Sequence, residues 1–234
     1  MTREEMLLQN YKNINLALQS ACQVSGRKSE EISLLAVTKY AADEDVLFLL
    51  EKSLIHHVGE SRVGQAWERW KSPDFAKFPV VKHFIGHLQK NKAAKAAELF
   101  DFIDSLDSFA TALAIEKHLP AKKIMRTLVQ VKLTNRETQS GLSLPEARQL
   151  VQQLRTLQRV HVCGYMAIAP QGAQDEELRN LFRQVKNAFE QDFPVGTERY
   201  LSLGMSEDFT VAVEEGSSLP RIGSGLFATN LEVL

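Results

Sequence analysis

Apolar positions in residues 4–24 recur at three- and four-residue steps. Leu7, Leu8, Tyr11, Ile14, Leu18 and Cys22 form one stripe, and the pattern stops at Gly26. Spacing of this kind predicts an amphipathic helix. The next apolar stretch, Ile32-Ser33-Leu34-Leu35-Ala36-Val37-Thr38, is short, nearly continuous and partly β-branched, with the length of a buried strand. Residues 43–52 then resume helical steps with Val46, Leu47, Leu49 and Leu50.

The couplet repeats along the chain. Strand-length apolar runs fall at 54–58, 80–86, 99–103, 127–133, 160–168, 199–203 and 219–222, and helical patterns lie near 62–70, 88–98, 109–118, 145–157, 175–193 and 206–215. With the first run, this gives eight strands alternating with helices, which demands a parallel sheet covered by helices. The expected fold is α/β: a single closed (β/α)8 TIM barrel with an extra N-terminal helix. The 234 residues approach the roughly 250 that such barrels use. An open doubly wound sheet of eight strands is the alternative. No Pro/Gly/Ser-rich tract, charge run or shift of composition marks a linker, so 1–234 is expected to be one domain.

Composition narrows the function classes. Hydrophobic residues make up 44% of the chain, enough for a sizeable core. Twenty-eight Lys and Arg against 29 Asp and Glu leave a net charge of −1. That balance argues against a protein whose main work is gripping nucleic acid or an acidic membrane. Cys22 and Cys163 are too few for a disulfide framework or a cysteine zinc site and read as reduced thiols. The start, Met1-Thr2-Arg3-Glu4-Glu5, has no apolar signal core, and the longest apolar run spans only 46–50. A soluble, cytoplasmic protein is expected.

A barrel places its chemistry at the C-terminal ends of its strands and often holds phosphate after strands seven and eight. Strand one ends in Thr38-Lys39-Tyr40, and alternation puts Leu35, Val37 and Lys39 on one face. If that face is interior, burial lowers the pKa of the lysine and makes it a Schiff-base nucleophile. Taken alone, a lysine there reads first as one leaving the strand for solvent. Strand eight ends in Arg221-Ile222-Gly223-Ser224-Gly225, whose amides and hydroxyl can form an anion nest. After strand seven, Ser206 is placed to cap the following helix and to bring a helix dipole to the same point. Together the two turns read as a phosphate cup. Arg221 on the inner face needs an acceptor, either a structural partner or a ligand's ring nitrogen or carboxylate.

Other motifs carry less. Gly223-Ser224-Gly225-Leu226-Phe227-Ala228 matches a dinucleotide fingerprint, but the acidic residue required about twenty positions later is absent, since the sequence stops at Leu234. His83 and His87 have His-x-x-x-His spacing, but on a β-rich run with Gly86 and without a third ligand, so no metal site is expected. Asp104 and Asp107 read as caps of the next helix rather than an acid–base pair. Met166 reads as core or as packing for a flat ring. Lys90, Lys92 and Lys95 read as a solvated face.

Seven blocks, in order, resemble one family. They are Leu35-Ala36-Val37-Thr38-Lys39, Gly59-Glu60-Ser61-Arg62-Val63, His83-Phe84-Ile85-Gly86, Leu88-Gln89-Lys90-Asn91-Lys92, Gly164-Tyr165-Met166-Ala167, Leu203-Gly204-Met205-Ser206 and Arg221-Ile222-Gly223-Ser224. From about residue 33 to 227 the chain looks like the pyridoxal phosphate homeostasis proteins, relatives of the N-terminal barrel of alanine racemase. The resemblance implies bound pyridoxal 5′-phosphate (PLP), with Lys39 forming an internal aldimine. It implies phosphate contacts from Ser206, Gly223 and Ser224, Arg221 facing the pyridine nitrogen, and Ser61, Asn91 and Met166 near the cofactor. The chain departs from the family pattern at Ser61, where Asn is frequent, at Gly64, and at Gln139, where a lysine is common.

The expected function is a PLP-binding protein that buffers the cofactor or delivers it, with PLP-dependent apo-enzymes as the expected recipients, with little or no catalysis and as a monomer. An arginine at the ring nitrogen weakens the electron sink that carbanion chemistry needs. Racemisation also needs a second acid–base group, which the racemases take from a second domain. A low-activity PLP-dependent amino-acid racemase is the alternative. A Schiff-base aldolase acting on sugar phosphates is a third reading.

Overall fold

The computed structural model describes residues 1–134 and 140–229; Gln139 lies outside them. Helix α1 (Arg3–Ser25) starts at a capping box, in which Thr2 Oγ1 accepts from the Glu5 amide and the Glu5 carboxylate accepts from the Thr2 amide. It buries Leu7, Ile14, Leu18 and Cys22, most of the stripe read from the sequence, while Leu8 stays exposed. Gly26 ends the helix in the left-handed conformation.

Strands and helices then alternate: β1 (Leu35–Val37), α2 (Asp43–Glu51), β2 (His57–Glu60), α3 (Val63–Lys71), α4 (Pro73–Ala76), β3 (Val81–Phe84), α5 (Ala93–Leu99), β4 (Phe102–Leu106), α6 (Phe109–His118), β5 (Met125–Lys132), α7 (Leu144–Leu154), β6 (Val160–Ile168), α8 (Asp175–Asp192), β7 (Tyr200–Ser202), α9 (Phe209–Glu214), β8 (Arg221–Ile222) and α10 (Ser224–Phe227). Every pairing is parallel, and the strand order is β7-β6-β5-β4-β3-β2-β1-β8.

The final gap, between β7 and β8, closes without a ladder. The Leu219 amide donates to Leu201 O (3.1 Å) and the Arg221 amide to Gly204 O (3.0 Å). Serines complete this seam: Ser202 Oγ donates to Leu219 O, and Ser217 Oγ accepts from the Leu203 amide and lies 2.7 Å from Leu203 O. The strands form a (β/α)8 barrel rather than an open doubly wound sheet.

Two apolar layers result. The larger lies between the strands and the helices and contains Ala36, Val58, Phe84, Ile103, Val129 and Tyr165. The smaller fills the barrel interior with Leu35, Phe102, Leu128, Cys163, Met166 and Leu219. Both cysteines are buried and free. Polar groups share the interior: His83 Nδ1 lies 3.0 Å from both Asp104 oxygens, and His83 Nε2 lies 2.9 Å from Nδ1 of His57. Asp104 therefore does not cap the next helix. It points inward from β4 and is fully buried.

Two strands are displaced from their expected positions. β2 and β4 each begin about three residues later than the apolar runs that announced them. Their inner ends carry Gly59-Glu60 and Asp104-Ser105, polar residues that a hydrophobic count discards. Among the described residues, no helix is long and apolar enough to cross a membrane.

Candidate functional site

The C-terminal ends of the strands surround a cavity of about 1060 Å³. Its wall includes Lys39 from the end of β1, Met166 from β6, Ser206 after β7, and Arg221, Gly223 and Ser224 from β8 and its exit. Six of the eight candidate residues thus meet at one place. Ser61 and Asn91 do not line it. Ser61 is half-buried after β2, and Asn91 is exposed on the 3-10 turn Lys90–Lys92.

Inward alternation holds for β1, since Leu35 packs in the interior and Val37 lines the cavity. It stops at Thr38, where the chain turns and the Ala41 amide donates to Thr38 O (3.0 Å). For this reason Tyr40, which continued strand alternation would turn away from Lys39, reaches the cavity mouth and lies under Lys39 Nζ, 5.2 Å from the ring centroid. Lys39 Nζ has no hydrogen bond or ion pair among the described residues.

Arg221 is buried, with 4% of its surface exposed. Nη1 donates to Ser202 O and Oγ (both 2.8 Å), and Nη2 donates to Ala167 O (2.8 Å). Nε has no hydrogen-bond partner among the described residues. Burial pulls the guanidinium pKa down to about 10, against the opposing charges of Asp104 and Asp208, and it stays charged at neutral pH.

The turns after β7 and β8 meet directly, because the Gly225 amide donates to Ser206 Oγ (3.1 Å). The amides of Ser206, Glu207 and Ser224 have no acceptor among the described residues, and all three residues line the cavity. Gly204 makes the first turn possible. Its φ is +86°, and a Cβ there would lie 2.6 Å from Ala212 Cβ and 2.8 Å from Phe209 Cα. A Cβ on Gly223 would crowd Val37 Cβ at 3.2 Å.

Two details of this cup differ from expectation. Asp208, not Ser206, occupies the N-cap position of α9. α9 and α10 are six and four residues long, too short for much of a macrodipole. The cup is an assembly of individual N–H and O–H donors. Asp208 also lines it, with its carboxyl pushed upward chiefly by burial.

His83 and His87 do not converge. His83 is engaged by Asp104 and His57, while exposed His87 lies 3.6 Å from Asp107. Lys90 and Lys92 are exposed, and Lys95 Nζ stands over the Trp67 ring. Cavity residues that pattern reading missed include Ile85, Met205, Asp208, Phe227 and the 168–173 loop. Loop residues carry no period, so only a family alignment would have marked them. The observed donors fit a phosphorylated aromatic aldehyde: unpaired amides for a phosphate, a free amine for the aldehyde, and a spare guanidinium donor for a ring nitrogen.

Comparison with known proteins places the chain in a family. Residues 22–230 match the family model described as alanine racemase, N-terminal domain. The pyridoxal phosphate homeostasis protein of Pasteurella multocida is 32% identical over 235 residues, covering 97% of both chains. Its counterpart in Synechocystis sp. is 32% identical over 205 residues, covering 86% of this chain and 92% of its own. Among solved structures, PipY of Synechococcus elongatus with PLP bound has a TM-score of 0.75 at 30% identity, covering 91% of this chain and all of that one. The alanine racemase of E. faecalis shares the fold at 15% identity and a TM-score of 0.69; the match covers 94% of this chain and 59% of that one. Through a match that spans most of its length, the chain belongs to the alanine racemase N-terminal domain family.

Proposed function

We propose that this protein binds PLP in the barrel-mouth cavity and buffers or delivers it, with little or no turnover of its own. The observation that carries the reading is the convergence of Lys39, Arg221 and the Ser206–Ser224 cup on one cavity wall. It is supported by relatives named pyridoxal phosphate homeostasis proteins and by a related chain solved with PLP bound.

Bound there, PLP presents an aldehyde to an amine, a phosphate to hydrogen-bond donors and a ring nitrogen to a cation. Lys39 would hold the aldehyde carbon covalently. Ser206 and Ser224, with the unpaired amides beside them and bare Gly223, would hold the phosphate. Met166 would support the ring. A guanidinium has donors only, so Arg221 would meet the ring nitrogen in its unprotonated form. That leaves the ring a weaker electron sink and favours holding over carbanion chemistry. Ser61 and Asn91 have no part in this assignment. Delivery to PLP-dependent apo-enzymes in the cytoplasm, by a monomer, is part of the same reading.

The test is visible absorbance. The purified protein should be yellow, should fix the cofactor on borohydride reduction, and should lose both properties in Lys39→Ala. Adding a PLP-accepting apo-enzyme should drain the colour. Colourless protein that cleaves a sugar phosphate would install the aldolase reading. Exchange of the α-proton of alanine or another amino acid at about 1 s⁻¹ or faster would install the racemase.

A further inference from the structure

Lys39 presents a positioning problem. Its amine has no bonding partner among the described residues, and the side chain is long and flexible. The residue also lines two cavities: the large one, and a side cavity of about 410 Å³ bounded by Asp43, Glu60, Gln65, Glu68, Arg69 and Ser72. The contact at the side-chain tip is the Tyr40 ring, which lines the large cavity and is carried by the same turn, so the selection rests on the backbone of that turn.

Besides its own Ala41–Thr38 hydrogen bond and the bond from the Thr38 amide to Gly59 O, the backbone at this point is held from outside by a guanidinium. The turn Thr38-Lys39-Tyr40-Ala41 contains neither proline nor glycine to preset its dihedrals. Arg69, from α3, spans it: Nη1 donates to Thr38 O (2.7 Å) and Nη2 to Ala41 O (2.8 Å), the two carbonyls that flank Lys39-Tyr40. Its Nε donates to Asp43 Oδ1 (2.7 Å). Behind it, Glu60 is 3% exposed, and its Oε1 accepts from Arg69 Nη1 (3.0 Å), Thr38 Oγ1 (2.8 Å) and Trp70 Nε1 (3.2 Å). A planar fork with five donors can bridge two carbonyls and a carboxylate at once, whereas an ammonium cannot reproduce that geometry.

We propose that Arg69, backed by Glu60, is a positioning residue that fixes the Lys39 turn so that the amine serves the large cavity. The proposal rests on the PLP reading above. It predicts separate effects on covalent capture and on cofactor affinity, because the clamp touches neither the cup nor Arg221.

The experiment compares wild type, Arg69→Lys and Arg69→Gln in three measurements. These are the rate of the absorbance change on mixing apo-protein with PLP, the affinity for pyridoxine 5′-phosphate, which lacks the aldehyde, and apo thermal stability. Arg69→Gln should slow capture about tenfold or more, as a misplaced reacting group does, and reduce the borohydride-trapped fraction. Analogue affinity should stay at the wild-type value. Arg69→Lys should restore only part of the rate. If Arg69→Gln fails to fold, Glu60→Gln, which keeps an acceptor but loses the charge behind Arg69, should show the same split between capture and analogue affinity.

Equal capture rates in wild type and variants would overturn the proposal. So would a parallel loss of capture, analogue affinity and stability, the mark of a purely architectural role. Wild-type protein that takes up neither PLP nor the analogue would sink the PLP reading itself, a result distinct from both.

Discussion

Ser206 and Ser224 stand on opposite sides of the same cup but differ in their debts to the fold. Ser206 is buried, and its hydroxyl accepts the Gly225 amide; Ser224 is exposed, and its hydroxyl makes no hydrogen bond among the described residues. Ser206→Ala therefore removes a phosphate donor and also orphans an amide. It should weaken PLP retention and lower apo stability by about 1 kcal/mol. Ser224→Ala should weaken retention while the apo melting temperature stays unchanged. Dialysis of loaded protein and thermal melts of the apo forms measure both. Equal melting losses in the two variants would contradict the assignment of Ser224 to the ligand alone.

Among the elements, how clearly each announced itself depended on what its residues do. Helices with a single apolar stripe, such as α1, α6 and α8, lay where their period placed them, because the stripe is the surface they bury. β6 was equally clear as an apolar run, broken only by exposed His161 near its start and buried over Cys163–Ala167. β2 and β4 were shifted because Glu60 and Asp104 are buried charged groups, which a hydrophobic pattern counts as loop although hydrogen bonds allow them inside. Lys39, Arg221 and the glycine-serine turn were legible because charge and glycine at the end of an apolar strand are conspicuous. Arg69 was not, since its role depends on a carbonyl pair that only the folded turn presents. The closing of the β7–β8 seam also left no period to read, being made by a few irregular backbone hydrogen bonds completed by serine hydroxyls. Ser217 is fully buried there, and Ser217→Ala should destabilise the protein by about 1–3 kcal/mol through the amide and carbonyl it leaves unpaired. Chemical denaturation would register this as a lower midpoint at unchanged slope.

For the molecule as a whole, the paired imidazoles of half-buried His57 and buried His83 make stability depend on pH. Burial, reinforced by neighbouring His83, depresses the His57 pKa from 6.5 to about 4. Between those values the unfolded chain binds the proton and the native barrel refuses it. The contribution is present in full above about pH 6.5 and is lost as the pH falls toward 4, for a total of about 3 kcal/mol. Asp208, whose carboxyl is raised, acts in the opposite sense over the upper carboxylate range. The effect of His57 should therefore be read as the difference in pH slope between wild type and His57→Gln. Identical slopes would exclude it.

The seam has one more consequence. β7 and β8 are three and two residues long and share no ladder, so the cylinder is most easily parted where the phosphate cup sits. A cargo gripped from both banks of that joint acts as a rivet across it, and linkage adds the free energy of loading to the free energy of folding. If the cargo binds there as proposed, the full vessel should resist proteases better than the empty one, and the cell's stock of this protein would then rise and fall with the supply of what it carries.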